Sequence, residues 1–154
     1  MRFAVDTMLG KLARWLRALG YDAAYDPFRD DAALLRLARE EGRVLLTRDR
    51  KLLLRRDLPQ ALLLRGDRVE EQVAQVLREL ELPEEIARPF SRCLECNGEL
   101  AEAARESVRE LVPPYVFSTQ QEFTRCPGCG RVYWKGTHFP RILARIRSLR
   151  EGSS

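Results

Sequence analysis

The sequence predicts an α/β fold: a mostly parallel sheet sandwiched by helices over residues 1–82, followed by a small cysteine-bearing module. Three observations carry that prediction. Short apolar runs alternate with amphipathic helical segments, as strands and crossover helices of a parallel sheet do. The run Val44–Thr47 lacks the in–out alternation of a half-exposed strand, as expected for a strand covered on both faces. All four cysteines, at 93, 96, 126 and 129, fall in the second part of the chain.

The elements follow in order. Arg2–Val5 reads as a first strand ending at Asp6, and the next helix gathers Leu9, Leu12, Ala13, Leu16 and Leu19 on one face before Gly20 stops it. Tyr21–Tyr25 is expected as a second strand. Asp30 or Asp31 caps a helix carrying Leu34, Leu35, Leu37 and Ala38, which ends at Gly42. After the third strand, Thr47-Arg48-Asp49 precedes a short helical piece, Arg50–Leu54, closed by Pro59. Ala61–Leu64 is the fourth strand. Asp67 is expected to cap a helix with Val69, Val73, Val76, Leu77 and Leu80 inside, Glu70 standing at capping-box spacing.

Residues 83–92, PEEIARPFSR, hold two prolines and no periodicity and read as a linker; residues 93–154 form the second module. There the pattern predicts a helix over 101–111, strands at Tyr115–Ser118 and Arg131–Trp134, and a final helix. That helix groups Ile142, Leu143, Ile146 and Leu149 apart from most of its arginines and is expected to dock on the first module.

Composition narrows the function classes. With 45% hydrophobic and 32% charged residues in 154, the chain is neither disordered nor large enough for the biggest α/β enzymes. No run approaches the length of a membrane span, and Asp6 and Lys11 break the amino-terminal apolar stretch, so the expectation is a cytoplasmic protein without a membrane partner. The net charge of +4 permits a nucleic-acid partner without demonstrating one. Protein partners are not legible.

The cysteines form C-x2-C, 29 residues, C-x2-C. A two-residue gap lets a tight knuckle aim two thiolates at one ion, and four thiolates fill a tetrahedron, so structural Zn2+ is the leading reading. Disulfides, a redox centre or an iron site are the alternatives. Gly98 and Gly130, just after the pairs, suit the knuckle turns. His138 is the only histidine, and it either orders its loop or contacts RNA together with Tyr133, Trp134 and Lys135.

Asp6 and Asp49 follow strands, and Asp31 opens a helix, all on the edge where parallel sheets place ligands. Carboxylates gathered there need a hard cation, for which Mg2+ or Mn2+ fits. Helix capping is the competing role for each, most of all for Asp67. Lys11, Arg14, Arg48 and Arg50 lie near the same edge and suit phosphate.

Several stretches together carry a resemblance that spans nearly the whole chain. They are Asp6-Thr-Met-Leu-Gly-Lys-Leu-Ala-Arg-Trp-Leu-Arg-Ala-Leu-Gly20-Tyr-Asp22, the Asp30-Asp31 helix start, Leu45-Leu-Thr-Arg-Asp49, Cys93-Leu-Glu-Cys96-Asn-Gly, and Cys126, Cys129 with Val132-Tyr-Trp-Lys-Gly-Thr-His138. The sequence resembles the Mut7-C family. That resemblance implies a PIN-like three-layer domain fused to a zinc ribbon, and a metal-dependent ribonuclease. It implies acidic ligands at Asp6, Asp31 and Asp49, with Asp67 a candidate fourth, and zinc ligands at the four cysteines. Typical PIN nucleases carry another acid soon after the position of Asp49, where this chain has Arg50, Lys51 and Leu52. Some family members also carry an amino-terminal ubiquitin-like domain, and the chain is expected to lack it. The expected partner is single-stranded RNA; a nuclease acting on DNA and a non-catalytic RNA-binding zinc-ribbon protein are the alternatives.

Overall fold

The computed structural model of the chain describes residues 1–82 and 91–134, and within the tail residues 141, 144–145 and 147–149. Strands β1 (Arg2–Val5), β2 (Asp22–Ala24), β3 (Val44–Thr47) and β4 (Ala61–Leu63) form one sheet in the order β2-β1-β3-β4, with every pair parallel. Helices α1 (Gly10–Ala18), α2 (Asp31–Glu40) and α3 (Val69–Glu79) are the crossovers and the closing element.

Strand alternation decides which helix covers which face. Phe3, Val5, Val44 and Leu46 pack against Leu12 and Leu16 of α1 and Val73 and Val76 of α3. Ala4 and Leu45, one residue out of phase, pack against Leu34, Leu35 and Ala38 of α2 and against Leu52. Both faces are therefore buried, which is why the strands read as continuous apolar runs.

The three helices end alike. After α1 the Tyr21 N–H donates to Leu16 O and that of Gly20 to Arg17 O; after α2 Arg43 and Gly42 repeat the pattern on Ala38 and Arg39. Gly20 and Gly42 take the left-handed conformation this requires, with φ of 94° and 62°. After α3 the same bonds run from Leu82 to Leu77 and from Glu81 to Arg78, but the left-handed residue is Glu81, at φ 53°. No glycine marks that stop.

The start of α3 corrects an expectation. Asp67 is not its cap: Arg68 occupies that position with no side-chain cap bond. Asp67 lies one residue too early for its carboxylate to serve the first-turn amides, and it pairs with Arg48 at 2.7 Å instead. The Asp30–Asp31 ambiguity resolves cleanly. Asp30 is the cap, accepting from Ala33 N at 2.7 Å, and Asp31 begins the first turn.

Strands β5 (Ala101–Ala103), β6 (Phe123–Arg125) and β7 (Val132–Tyr133) form an antiparallel sheet in the order β5-β6-β7. Two local expectations fail here. Residues 101–111, rich in helix formers, give β5 and a 3-10 turn at Arg105–Val108. Tyr115–Ser118 lies within a helix, α4 (Pro114–Thr119), with proline at its first position. Pairing with β6 overrides helix propensity in the first case, and burial of Val116 beside Val108, Val112 and Phe123 overrides strand propensity in the second. Among the described residues, four buried side chains make up this core. The proposed linker falls largely on residues 83–90, outside the described residues. Of the tail face, Leu149 lines a cavity with Glu71, Ala74 and Arg78 of α3, while Ile142, Leu143 and Ile146 lie outside the described residues.

Candidate functional site

The four cysteines converge. Their sulfurs all lie within 4.8 Å of one another, with Cys93–Cys129 at 3.5 Å and Cys96–Cys126 at 3.3 Å. Those separations are far beyond a disulfide bond of about 2.05 Å and close to the edge of a tetrahedron built on zinc–sulfur bonds of about 2.3 Å. Two matching knuckles create the geometry. Cys93 N donates to Gly98 O and Asn97 N to Cys93 O; Cys126 N donates to Arg131 O and Gly130 N to Cys126 O. The left-handed residue is Asn97 (φ 69°) in one knuckle and Gly130 (φ 81°) in the other. Gly98, expected from sequence to make the first turn, instead lies over the sulfurs, where a Cβ would stand 3.5 Å from Cys96 Sγ.

The donor set fits a structural zinc ion. Burial pushes the Cys93 thiol up, but hydrogen bonds from Tyr133 and from the Cys96 and Glu95 amides outweigh it and bring the thiol down to about 6. At Cys96 the Gly98 amide favours the thiolate, yet contact with Cys126, burial and the charge at Cys93 together push the thiol up. Four crowded thiolates cannot all ionise without a cation between them, and a soft divalent ion supplies that charge.

The first knuckle also fastens the cysteine module to the parallel sheet. Asn97 Oδ1 accepts from Ala23 N at 3.0 Å, and Asn97 Nδ2 donates to Asp22 Oδ1 at 2.7 Å. Arg17, only 4% exposed, donates through Nε to Ala23 O and through Nη1 to Leu94 O and Glu95 O. The outward amide and carbonyl of edge strand β2 are thus satisfied by a side chain of the module and by an arginine that grips it. Burial lowers the Arg17 guanidinium, against the anionic pull of Cys93, Cys96 and Glu95. Nothing in the sequence distinguishes Arg17 from the other arginines.

At the opposite end of the strands lies the carboxylate edge. Thr47, fully buried, donates from Oγ1 to Asp6 Oδ2 at 2.7 Å and accepts there from Asp49 N at 3.0 Å. Asp6 Oδ1 accepts from Thr7 N at 2.7 Å, and Asp49 Oδ1 accepts from Lys51 N at 2.9 Å. Thr47 follows the alternation of Leu45, so it and Asp6 face the α2 side of the sheet, where Asp31 begins its helix half-buried. Among the described residues, the four cysteines are the group of three or more ligating atoms that closes within 4.8 Å; Asp6, Asp31 and Asp49 occupy one edge without doing so.

The candidate substrate-binding residues separate. Lys11, Arg48 and Asp67 line a cavity of about 610 Å3 with Thr7, Tyr25 and Gln72, on the α1–α3 side. Tyr25 shapes it, donating to Thr7 O at 2.8 Å and passing so near Gly10 that a Cβ there would meet its hydroxyl at 2.9 Å. Asp67 is highly exposed, its side chain 88% accessible. Arg14 reaches the cysteine module and pairs with Glu95. The Tyr133 hydroxyl sits 3.2 Å from Cys93 Sγ and accepts from Leu94 N, and Trp134 packs edge-on against Phe123. Both rings are committed to the module. Lys135 and His138 lie outside the described residues.

Fold and cysteine centre together define a class: an α/β protein built on a parallel four-stranded sheet, carrying a small module with four converging cysteines. The family model of the Mut7-C RNAse domain matches residues 1–146, and the chain belongs to that family. Membership suggests a nuclease-type enzyme. No curated protein and no solved structure matches the chain. No helix among the described residues is long and apolar enough to cross a membrane.

Proposed function

We propose that this protein is a cytoplasmic, metal-dependent ribonuclease that hydrolyses phosphodiester bonds of single-stranded RNA at the carboxylate edge. The observation that carries the reading is the Thr47 bridge. One buried hydroxyl ties the carboxylate after β1 to the backbone amide of the aspartate after β3, and the Asp31 helix start stands on the same side. Oxygen donors of this kind suit Mg2+ or Mn2+.

Asp6, Asp31 and Asp49 would hold the cation, directly or through water, with Asp67 the candidate fourth carboxylate. Asp6 accepts one hydrogen bond on each oxygen, which leaves each oxygen a lone pair for a metal. A divalent cation held by these carboxylates would supply charge to offset that on the phosphodiester and would favour ionisation of water there. Thr47 positions Asp6, and the Lys51 amide orients Asp49. Lys11, lining the neighbouring cavity, supplies positive charge for phosphate, and Arg48 would join it on release from Asp67. Residues 1–82 contain no histidine, so a carboxylate or solvent is the proposed proton acceptor at this edge.

The test is end-labelled single-stranded RNA and DNA incubated with the zinc-loaded protein, with and without Mn2+, beside Asp6→Asn and Asp49→Asn. Cleavage of RNA that needs added metal and falls by more than about 100-fold in each variant is expected. Preference for DNA would change the substrate. RNA binding without cleavage, equal in parent and variants, would overturn the enzyme reading in favour of a binding module.

A further inference from the structure

A second strongly basic feature lies on the α2 side, away from Lys11 and Arg48. Arg36 and Arg39 of α2 and Arg55 and Arg56 after the 3-10 turn Leu52–Leu54 line a groove of about 410 Å3 floored by Leu35. All four arginines are exposed. Among the described residues none of them pairs with a carboxylate; Arg39 donates only to the backbone of Asp57. Arg14, Arg43, Arg48, Arg65, Arg92 and Arg109 have acidic partners among the described residues and Arg50, Arg68 and Arg125 do not, so what marks the four is that they share one groove. Four exposed guanidiniums lining one groove, without a carboxylate partner among the described residues, suit an anionic ligand.

The placement of the groove gives the anion a direction. One wall is α2, whose first residue is Asp31 and whose second, Ala32, lines the groove. The other wall continues from the turn that Asp49 organises, since Leu52 N donates to Asp49 O and Lys51 N to Asp49 Oδ1. Asp6 and Thr47 face this same side of the sheet. Both walls therefore grow out of the candidate ligands. Near this end, in the loop before α2, Phe28 is 93% exposed, two residues before the cap Asp30. Its flat ring, open to solvent in the loop that leads into the groove's α2 wall, is a shape on which an unpaired base can stack.

We propose that the α2 groove is a binding track for single-stranded nucleic acid, with Arg36, Arg39, Arg55 and Arg56 on successive phosphates and Phe28 stacked on a base near the carboxylate edge. The assignment of RNA as the strand rests on the ribonuclease reading. The groove leads the strand to the carboxylates from the side opposite the Lys11–Arg48 cavity.

The experiment measures fluorescent oligouridine binding to the full-length, zinc-loaded protein across a salt series, without added divalent ion. The parent is compared with R36Q/R39Q/R55Q/R56Q and with Phe28→Ala, alongside the cleavage assay. Each phosphate contact on a single strand contributes about 0.7 to the salt slope, so the quadruple variant should flatten it by roughly 2 to 3. Phe28→Ala should weaken binding about tenfold and leave the slope unchanged. Because all five side chains are exposed, thermal unfolding should stay at the parent value. An unchanged slope and affinity in the quadruple variant would overturn the track even if Asp49→Asn abolishes cleavage. Loss of binding in that variant, with no cleavage by the parent, would uphold the track and sink the ribonuclease reading. Groove-dependent binding of polyglutamate, with none of oligouridine, would make this a surface for acidic protein and overturn the proposal.

Discussion

At the cysteine centre, four ligand atoms from two distant turns stand within 4.8 Å of one another, whereas Asp6, Asp31 and Asp49 share one sheet edge without closing on a common point. The difference follows from what holds each ligand. Every cysteine belongs to a knuckle whose backbone bonds aim the sulfur, and thiols can crowd while protonated. The carboxylates sit at the ends of separate elements, Asp6 held locally by Thr47 and Thr7 and Asp49 by the Lys51 amide, and like charges resist further approach. A structural centre is thus shaped by the chain itself. Carboxylates on separate elements would converge only around a hard cation that offsets their charge.

The largest effect expected from breaking this comparison is at the cysteines. Cys93→Ser with Cys126→Ser should abolish zinc binding and melt the module, because so small a core depends on a metal term on the order of 10 kcal/mol. Hydrogen exchange should show residues 91–134 losing protection together with the Ala23 amide, while Leu45 and Leu46 stay protected. A module that remains ordered without metal would show that Val108, Val112, Val116 and Phe123 suffice.

Thr47→Val tests the other side. It keeps shape but strands one oxygen of buried Asp6 and the Asp49 amide, and should cost about 1–3 kcal/mol in urea unfolding. Thr47→Ser, which retains the hydroxyl, should recover both stability and cleavage. Failure of the serine variant to recover cleavage would assign Thr47 to packing alone.

Asn97→Gly separates the two jobs of the first knuckle. Glycine accepts φ of 69° more easily than asparagine, so the turn and its zinc should survive. The bonds to Ala23 and Asp22 are lost, and stability should fall by about 1–2 kcal/mol. Gly130, at the matching position, carries no such side chain.

The smallest effect is a pH dependence centred on Asp22. Burial raises its carboxyl, but hydrogen bonds from Arg43 and Asn97 outweigh burial and hold it below the usual carboxylate range. A depressed native value means its stabilisation is complete above the unfolded value of about 3.9 and is lost as pH falls through the native one. Asp22→Asn should therefore flatten the stability profile below about pH 4. A parent profile that already coincides with the variant's would remove Asp22 from the acid response.

Much of the fold was legible because it depends on local pattern. Apolar runs, helix faces and the glycines after α1 and α2 placed the strands and helices of the parallel sheet. Where a stop used Glu81, or where β5 pairs with β6 against helix propensity, no local signal existed. The spacing of the cysteines announced their centre, since two residues between ligands is itself a geometric constraint. The aspartates were legible only as candidates. A carboxylate after a strand serves equally as cap, ion-pair partner or metal ligand, and Asp30, Asp67 and Asp6 turned out to be held in different ways.

Sequence by itself determined the α/β class, the two cysteine knuckles and the position of the acids at strand ends, because hydrophobic period and ligand spacing act within a few residues. Tertiary structure alone decided that Thr47 joins Asp6 to Asp49, that Arg17 and Asn97 lock the module onto β2, and that four arginines from two segments face one groove. Each of those brings together side chains far apart in the chain, and only the packing of helices on a sheet specifies such distances.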